Sequence, residues 1–227
     1  MVSKHSLTVV PGESVKLTIF GATGRIGLEL VQQSLARGHE VTAVVRDPAP
    51  LAAQSGQLEV IVANPLDSAA IVPAIKDRDV VLSALGPRPG GPSTICSQAA
   101  TAICEAMHET GVRRLLVVSA SGPYVDSGDD PLTRYVVKPI LRRALREGFA
   151  DLKTAEQVVR RSGLDWTIMR PSRLTDKPAT GRVRRSLDRN LSLGMFTSRA
   201  DVAAEMMRAM GDPTTSGHTV AIANYRD

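Results

Sequence analysis

Residues 21–27 read GATGRIG, with glycines at 21, 24 and 27. The heptapeptide closes an apolar run, VKLTIFG over 15–21, and opens an amphipathic stretch, RIGLELVQQSLARG, that stops at Gly38. A strand, a glycine turn and a helix in that order place three separate demands on one loop. Gly21 permits the tight turn, Gly24 lets the backbone approach a pyrophosphate, and Gly27 lets the helix pack close to the sheet. The helix N-terminus then favours the negative charge. The plainer alternative is a helix start made glycine-rich for packing alone, and the flanking strand and helix argue against it.

Outward from this loop the chain alternates. EVTAVVR (40–46) reads as a second strand, after which Pro48 and Pro50 break the pattern. LEVIVAN (58–64) is a third strand, SAAIVPAIKD a short helix and DVVLSALG (79–86) a fourth strand. A long helix over 93–110 closes at Gly111, and RRLLVVSASG (113–122) is a fifth strand ending in small polar residues. Helices over about 131–147 and 149–162 precede the strand DWTIMRP (165–171). A basic stretch, expected to be irregular, runs to about 194, and a helix over 198–210 leads to a last strand, HTVAIAN (218–224). Strands apolar on both faces belong in a parallel sheet covered by helices on both sides. The expectation is a single α/β domain over 15–227, Rossmann-like and doubly wound, after an N-terminal tail over 1–14. Loops 86–93, 122–131 and 172–197 follow strands, where open α/β sheets hold ligands, and form the expected substrate region.

Composition narrows the function classes. The 227 residues are 43% hydrophobic and 22% charged, an ordinary globular balance, with only 3% aromatic. The net charge of +5 could suit nucleic acid, but aromatics interleaved with the basic residues are missing, so stacking on bases has little support. A basic site for an anionic small molecule explains the charge equally well. Cys96 and Cys104 lie about 12 Å apart along one helix, too far for a disulfide, and read as buried fillers in a reducing, cytoplasmic compartment. The four histidines are scattered without metal-ligand spacing, so no metal is expected. No apolar run reaches the length of a membrane span, and MVSKHSLTVVPGES lacks the apolar core of a signal peptide. A monomer or a homodimer is equally compatible with the pattern.

The second strand ends in Arg46, within VVRDP, where a site for NAD would want a carboxylate for the ribose hydroxyls. Arg25 adds a second guanidinium in the glycine loop. Two arginines suit a 2′-phosphate, since charge-assisted bonds contribute about 1.5–3 kcal/mol each. NADP(H) is therefore expected over NAD(H), with Asp47 as the competing ribose ligand.

The segments TIFGATGRIG, VTAVVRD, DVVLSALG and SGLDWTIMRP together resemble the atypical branch of the short-chain dehydrogenase/reductase superfamily, across most of the chain. Within it, LTDKPATGRV, SRADVAAEMMRAM and SGHTVAIAN are similar to the group of flavin and biliverdin reductases and their bacterial relatives. That resemblance implies that Gly21, Thr23, Gly24, Arg25, Ile26 and Gly27 hold the pyrophosphate side and Arg46 the 2′-phosphate. Leu85 and Gly86, in LGPR, would pass beside the cofactor, with Arg88 near a phosphate or the substrate. Asn64 stands where relatives often carry Asp beside the adenine; an amide there can still accept from the exocyclic amine.

The resemblance also implies a serine after the fifth strand and a Tyr-x-x-x-Lys pair on the helix before the sixth. Ser119 and Ser121 fill the first role and Lys153 the second, as ligand of the nicotinamide ribose. Four residues before Lys153 stands Phe149, with no hydroxyl. Tyr135 and Lys138 form a competing pair one residue too close. The plainer readings are a solvated Lys153 paired with Glu156 or Asp151, serines that satisfy a turn, and Arg182, Arg184 and Arg185 as exposed surface. Reducing a ketone without a positioned acid loses about 10²–10⁴-fold. Reducing a flavin, quinone or tetrapyrrole needs chiefly the right placement of two rings. The expected function is therefore an NADPH-dependent reductase of a planar acceptor of that kind, neutral or anionic. The alternatives are a non-catalytic redox-sensing NADP(H)-binding protein and a nucleotide-retaining epimerase or dehydratase.

Overall fold

A computed structural model describes residues 14–48, 51, 57–87, 94–194 and 196–225. The first half builds β1 (Lys16–Phe20), α1 (Arg25–Ala36), β2 (Glu40–Val45), β3 (Leu58–Val62), α2 (Ser68–Ile75), β4 (Val80–Ser83), α3 (Ile95–Thr110) and β5 (Arg114–Val118). The second half builds α4 (Lys138–Ala144), α5 (Arg146–Arg161), β6 (Asp165–Pro171), β7 (Arg173–Thr175), β8 (Val183–Leu187), β9 (Phe196–Ser198), α6 (Arg199–Met210) and β10 (His218–Asn224). Eight strands form one sheet in the order β3-β2-β1-β4-β5-β6-β10-β8. Every neighbouring pair is parallel except β10–β8. The expected doubly wound, mainly parallel fold is what forms.

Helices cover both faces. One core layer joins the sheet to α1 and α6, through Leu30, Val31, Val202 and Met206. The other joins it to α2, α3 and α5, through Ile71, Ile103, Met107, Leu152 and Val159. Cys96 and Cys104 are buried in the second layer, and burial pushes their thiols up to about 12 and about 11, so they are inert fillers.

The turn between β1 and α1 shows why glycine is required. Gly21 adopts φ +74°, and a Cβ there would meet the Ala84 carbonyl at 2.9 Å. A Cβ on Gly27 would lie 2.0 Å from the Gly21 oxygen. That oxygen accepts the Gly24 N–H at 2.9 Å, which closes the turn.

The expected irregular stretch after β6 is corrected. It contains β7 and β8, and β7 pairs in parallel with β9 in a separate ribbon. Arginine content hid β8: it is a sheet edge, where charged side chains are tolerated. Arg185 forms an ion pair with Glu205 of α6, and Arg184 donates to the Ser192 carbonyl, so neither is an idle basic rim. The break between α4 and α5 falls at Leu145, three residues before Gly148.

Asp201 locks this C-terminal region. It accepts the backbone N–H groups of Thr180 and Gly181, the Ser198 hydroxyl and the Asn224 amide. Burial alone would raise its pKa, but these donors hold it below the ordinary 3.8. A depressed native pKa gives stability that is full above the unfolded value and is lost as pH falls through the native one. Asp201→Asn should therefore be less stable at neutral pH and lose less on acidification than the parent, read by urea unfolding across pH. Gly27→Ala should cost at least about 1–3 kcal/mol in the same assay, as overpacking does.

Candidate functional site

The carboxyl ends of β1, β2, β3 and β4 lie side by side, because those strands are parallel neighbours. The glycine loop, Arg46, Asp47, Asn64, Leu85 and Gly86 therefore all stand along one edge of the sheet. Arg88 lies outside the described residues, as does most of loop 86–93. At the start of α1, Gly24 offers no side-chain cap and the first turn holds no acid. By contrast, Asp67 caps α2, Ser198 caps α6, and Asp151 accepts the N–H groups of Cys96 and Ser97 at the start of α3. The open donors of α1 are those an anion can use. Ile26 is buried, so it faces that edge through its backbone, whereas Gly24 and Arg25 are exposed.

Arg46 is exposed at the end of β2, as a 2′-phosphate ligand must be. Arg25 is not idle: its guanidinium pairs with Asp176 at 2.9 Å, and Asp176 also pairs with Arg199 at 2.6 Å. The Arg25–Asp176 pair is exposed and contributes only about 0–1 kcal/mol, so a phosphate can displace it. Asn64 uses its side-chain oxygen to accept the Leu66 N–H, which leaves its NH₂ group as a donor. It therefore offers an adenine less acceptor capacity than the expected amide.

At the centre of the sheet the decisive residue is one that sequence reasoning treated only as a surface partner. Glu156 of α5 is buried, with 2% of its surface exposed. It accepts the Ser119 hydroxyl at 2.6 Å, Arg170 Nε at 3.0 Å and Nη2 at 2.5 Å, and Arg160 at 2.9 Å. This single carboxylate ties the end of β5 and the end of β6 to α5. The Arg170 guanidinium lies 3.4 Å from the centroid of the Tyr124 ring. Tyr124, in the loop after β5, was not singled out from the sequence. Burial, then the charge of Glu156 beside it, hold its phenol well above the ordinary tyrosine range.

Lys153 is half-buried one turn before Glu156, with its ammonium 5.6 Å from the Tyr124 centroid. Neither of its suggested partners holds it: Asp151 caps α3 and Glu156 serves Ser119, Arg160 and Arg170. The salt bridges among the described residues do not include Lys153. Phe149, one turn earlier, packs its ring where a Cβ on Gly122 would stand, 2.8 Å from Cζ, and so closes the loop after β5 against α5.

Ser121 is not part of this cluster. Its N–H donates to the Pro171 carbonyl, and it lines a small pocket with Arg170, Ser172, Lys138 and Asn190. The competing Tyr135–Lys138 pair is ruled out by position. Lys138 is buried and bonded to Asp129 and the Tyr124 carbonyl, while Tyr135 is 70% exposed. Among the described residues no group of His, Cys, Asp and Glu is placed to hold a metal ion.

A family model described as NAD(P)H-binding matches residues 21–213. The chain belongs to this NAD(P)H-binding family. Among curated proteins it is 29% identical to an uncharacterized sugar epimerase of Bacillus subtilis, YhfK, over 88% of this chain and 90% of that one. Among solved structures it is similar to the oxidoreductase ylbE of Lactococcus lactis, with TM-score 0.77 and 19% identity over 93% of this chain and 91% of the other. It is also similar to ChuY, an anaerobilin reductase of Escherichia coli O157:H7, with TM-score 0.75 and 22% identity over 92% and 96%. At those identities the two structures speak for the fold, the one expected from the resemblance to atypical short-chain dehydrogenases/reductases. A nicotinamide cofactor follows from the family.

If Glu156 is the tie described above, Glu156→Ala should cost about 3–5 kcal/mol, because Arg170 is left buried without its carboxylate. Glu156→Gln should cost less, since the amide oxygen still accepts one of the donors. A loss under about 1 kcal/mol for the alanine variant in urea unfolding would remove Glu156 from that role.

Proposed function

We propose that the chain is an NADPH-dependent reductase that passes hydride to a planar, electron-poor acceptor of the flavin, quinone or tetrapyrrole class. The observation that carries this reading is the commitment of the Ser119 hydroxyl near Lys153 to Glu156, beside a Tyr124 phenol whose pKa is raised. Ser119 donates its proton to that carboxylate. Tyr124 sits beside it with a raised pKa and is a poor acid at neutral pH. Phe149 supplies no hydroxyl at all. A carbonyl substrate would find no ready proton donor for its developing alkoxide, whereas an acceptor that delocalises its new charge can take a proton from water.

Bound NADPH would supply the hydride. Lys153 would grip the nicotinamide ribose with its ammonium, which stands beside the Tyr124 ring. The glycine loop and the open start of α1 would hold the pyrophosphate, and Arg46 the 2′-phosphate, with Arg25 joining it after leaving Asp176. Asp47 and Asn64 would border the adenosine, and Leu85 and Gly86 would line the path of the cofactor beside Gly21. The sugar epimerase named among the relatives points elsewhere, but epimerisation needs an acid–base pair, and Tyr124 and Phe149 are ill-suited to provide one.

Calorimetric titration should give tighter binding of NADPH than of NADH, with Arg46→Ala removing most of the difference. Charge-assisted bonds of about 1.5–3 kcal/mol correspond to a change of about 10–100-fold. Tighter NADH binding would reverse the cofactor assignment. NADPH oxidation should be seen with FMN, riboflavin or quinones; tight NADPH binding without turnover on any of them would favour the redox-sensing protein.

A further inference from the structure

Residues 131–144 form one continuous helical stretch, with a π-helical turn at Thr133–Val137 running into α4. Its side chains are arranged inside out. The side chain that turns inward is Lys138, which is 4% exposed and clamped to Asp129 and the Tyr124 carbonyl. The large apolar residues face solvent: Leu132 is 65% exposed, Tyr135 70% and Ile140 64%. Val136, Val137, Leu141 and Leu145 are exposed too. Ile140 lies about 200° round the helix from Lys138, so it stands on the outer side. An ordinary surface helix puts its apolar stripe inward and its charges outward. The patch continues to exposed Leu193, whose N–H donates to Asp130 at the foot of the helix.

The same stretch carries Arg134, Arg142 and Arg143, Arg146 follows at the start of α5, and there is no acid between 131 and 146. All four arginines are exposed. Apolar side chains flanked by cations fit a surface with an apolar interior and an anionic face. A second copy of the chain fits less well, because a two-fold contact would bring both sets of arginines around one patch.

We propose that this helix is a docking surface for anionic lipid, through which the protein rests on a membrane without crossing it. No helix among the described residues is long and apolar enough to span one. Leu132, Val136 and Ile140 would enter the headgroup–acyl boundary while the arginines meet lipid phosphates. Lys138 stays in its internal ion pair and takes no part.

The test is co-sedimentation of the full chain with phosphatidylcholine vesicles, with and without phosphatidylglycerol, at low and high salt. The proposal expects binding that requires phosphatidylglycerol and weakens with salt. Arg142→Glu with Arg143→Glu should weaken it at least about tenfold, given about 1 kcal/mol for each cation near such a surface. Ile140→Asp should also release the protein, whereas Arg37→Glu, an exposed arginine just past the C-terminus of α1, should not. Ile140 is exposed, and circular dichroism checks that the variant folds. Absence of binding to anionic vesicles overturns the proposal, as does binding indifferent to both helix variants. A dimer in sedimentation equilibrium that Ile140→Asp dissociates would assign the face to a second copy instead.

Discussion

The centre of the molecule depends on one buried carboxylate. Glu156 sits on a helix face that is otherwise apolar, and a charge there is tolerated only when it is paired and hydrogen-bonded. Arg170 supplies two bonds and Arg160 and Ser119 one each. Those donors come from the residue after β5, from β6 and from α5 itself, so satisfying the charge fixes where α5 crosses the carboxyl edge of the sheet. Lys153, one turn earlier on the same helix, is placed as a consequence. Tyr124 is placed by the same group at second hand, through its stacking on Arg170.

The glycine turn was legible in the sequence because its demands are local. Gly21 must turn with positive φ, and Gly27 must pass the Gly21 oxygen; both constraints act within seven residues. The alternation of apolar strands and amphipathic helices gave the sheet for a similar reason, since burial on both faces leaves a continuous apolar run. β8 was missed because an edge strand does not need that run, and its arginines read as irregular surface.

The Glu156 cluster was less legible, because its contacts join residues far apart in the chain. Ser119 and Glu156 are 37 residues apart, and Arg170 lies 14 beyond Glu156. One signal was present: Leu152, Ala155, Glu156 and Val159 fall on a single helical stripe, all of it buried. A carboxylate in that stripe announces a buried partner. Tyr124 carried no such mark, since a loop residue after a strand has no periodicity to violate. Phe149 was noticed for the hydroxyl it lacks, and its packing against Gly122 gives that ring a structural task as well.

The central claim is that hydride leaves the nicotinamide without a proton from the protein. It is tested most directly by stopped-flow measurement of the transfer step from NADPH carrying deuterium at C4, in H₂O and in D₂O, with FMN as acceptor. The expected result is a step slowed by the C4 label and unchanged by solvent deuterium. A solvent isotope effect on that same step, abolished by Tyr124→Phe, would contradict it.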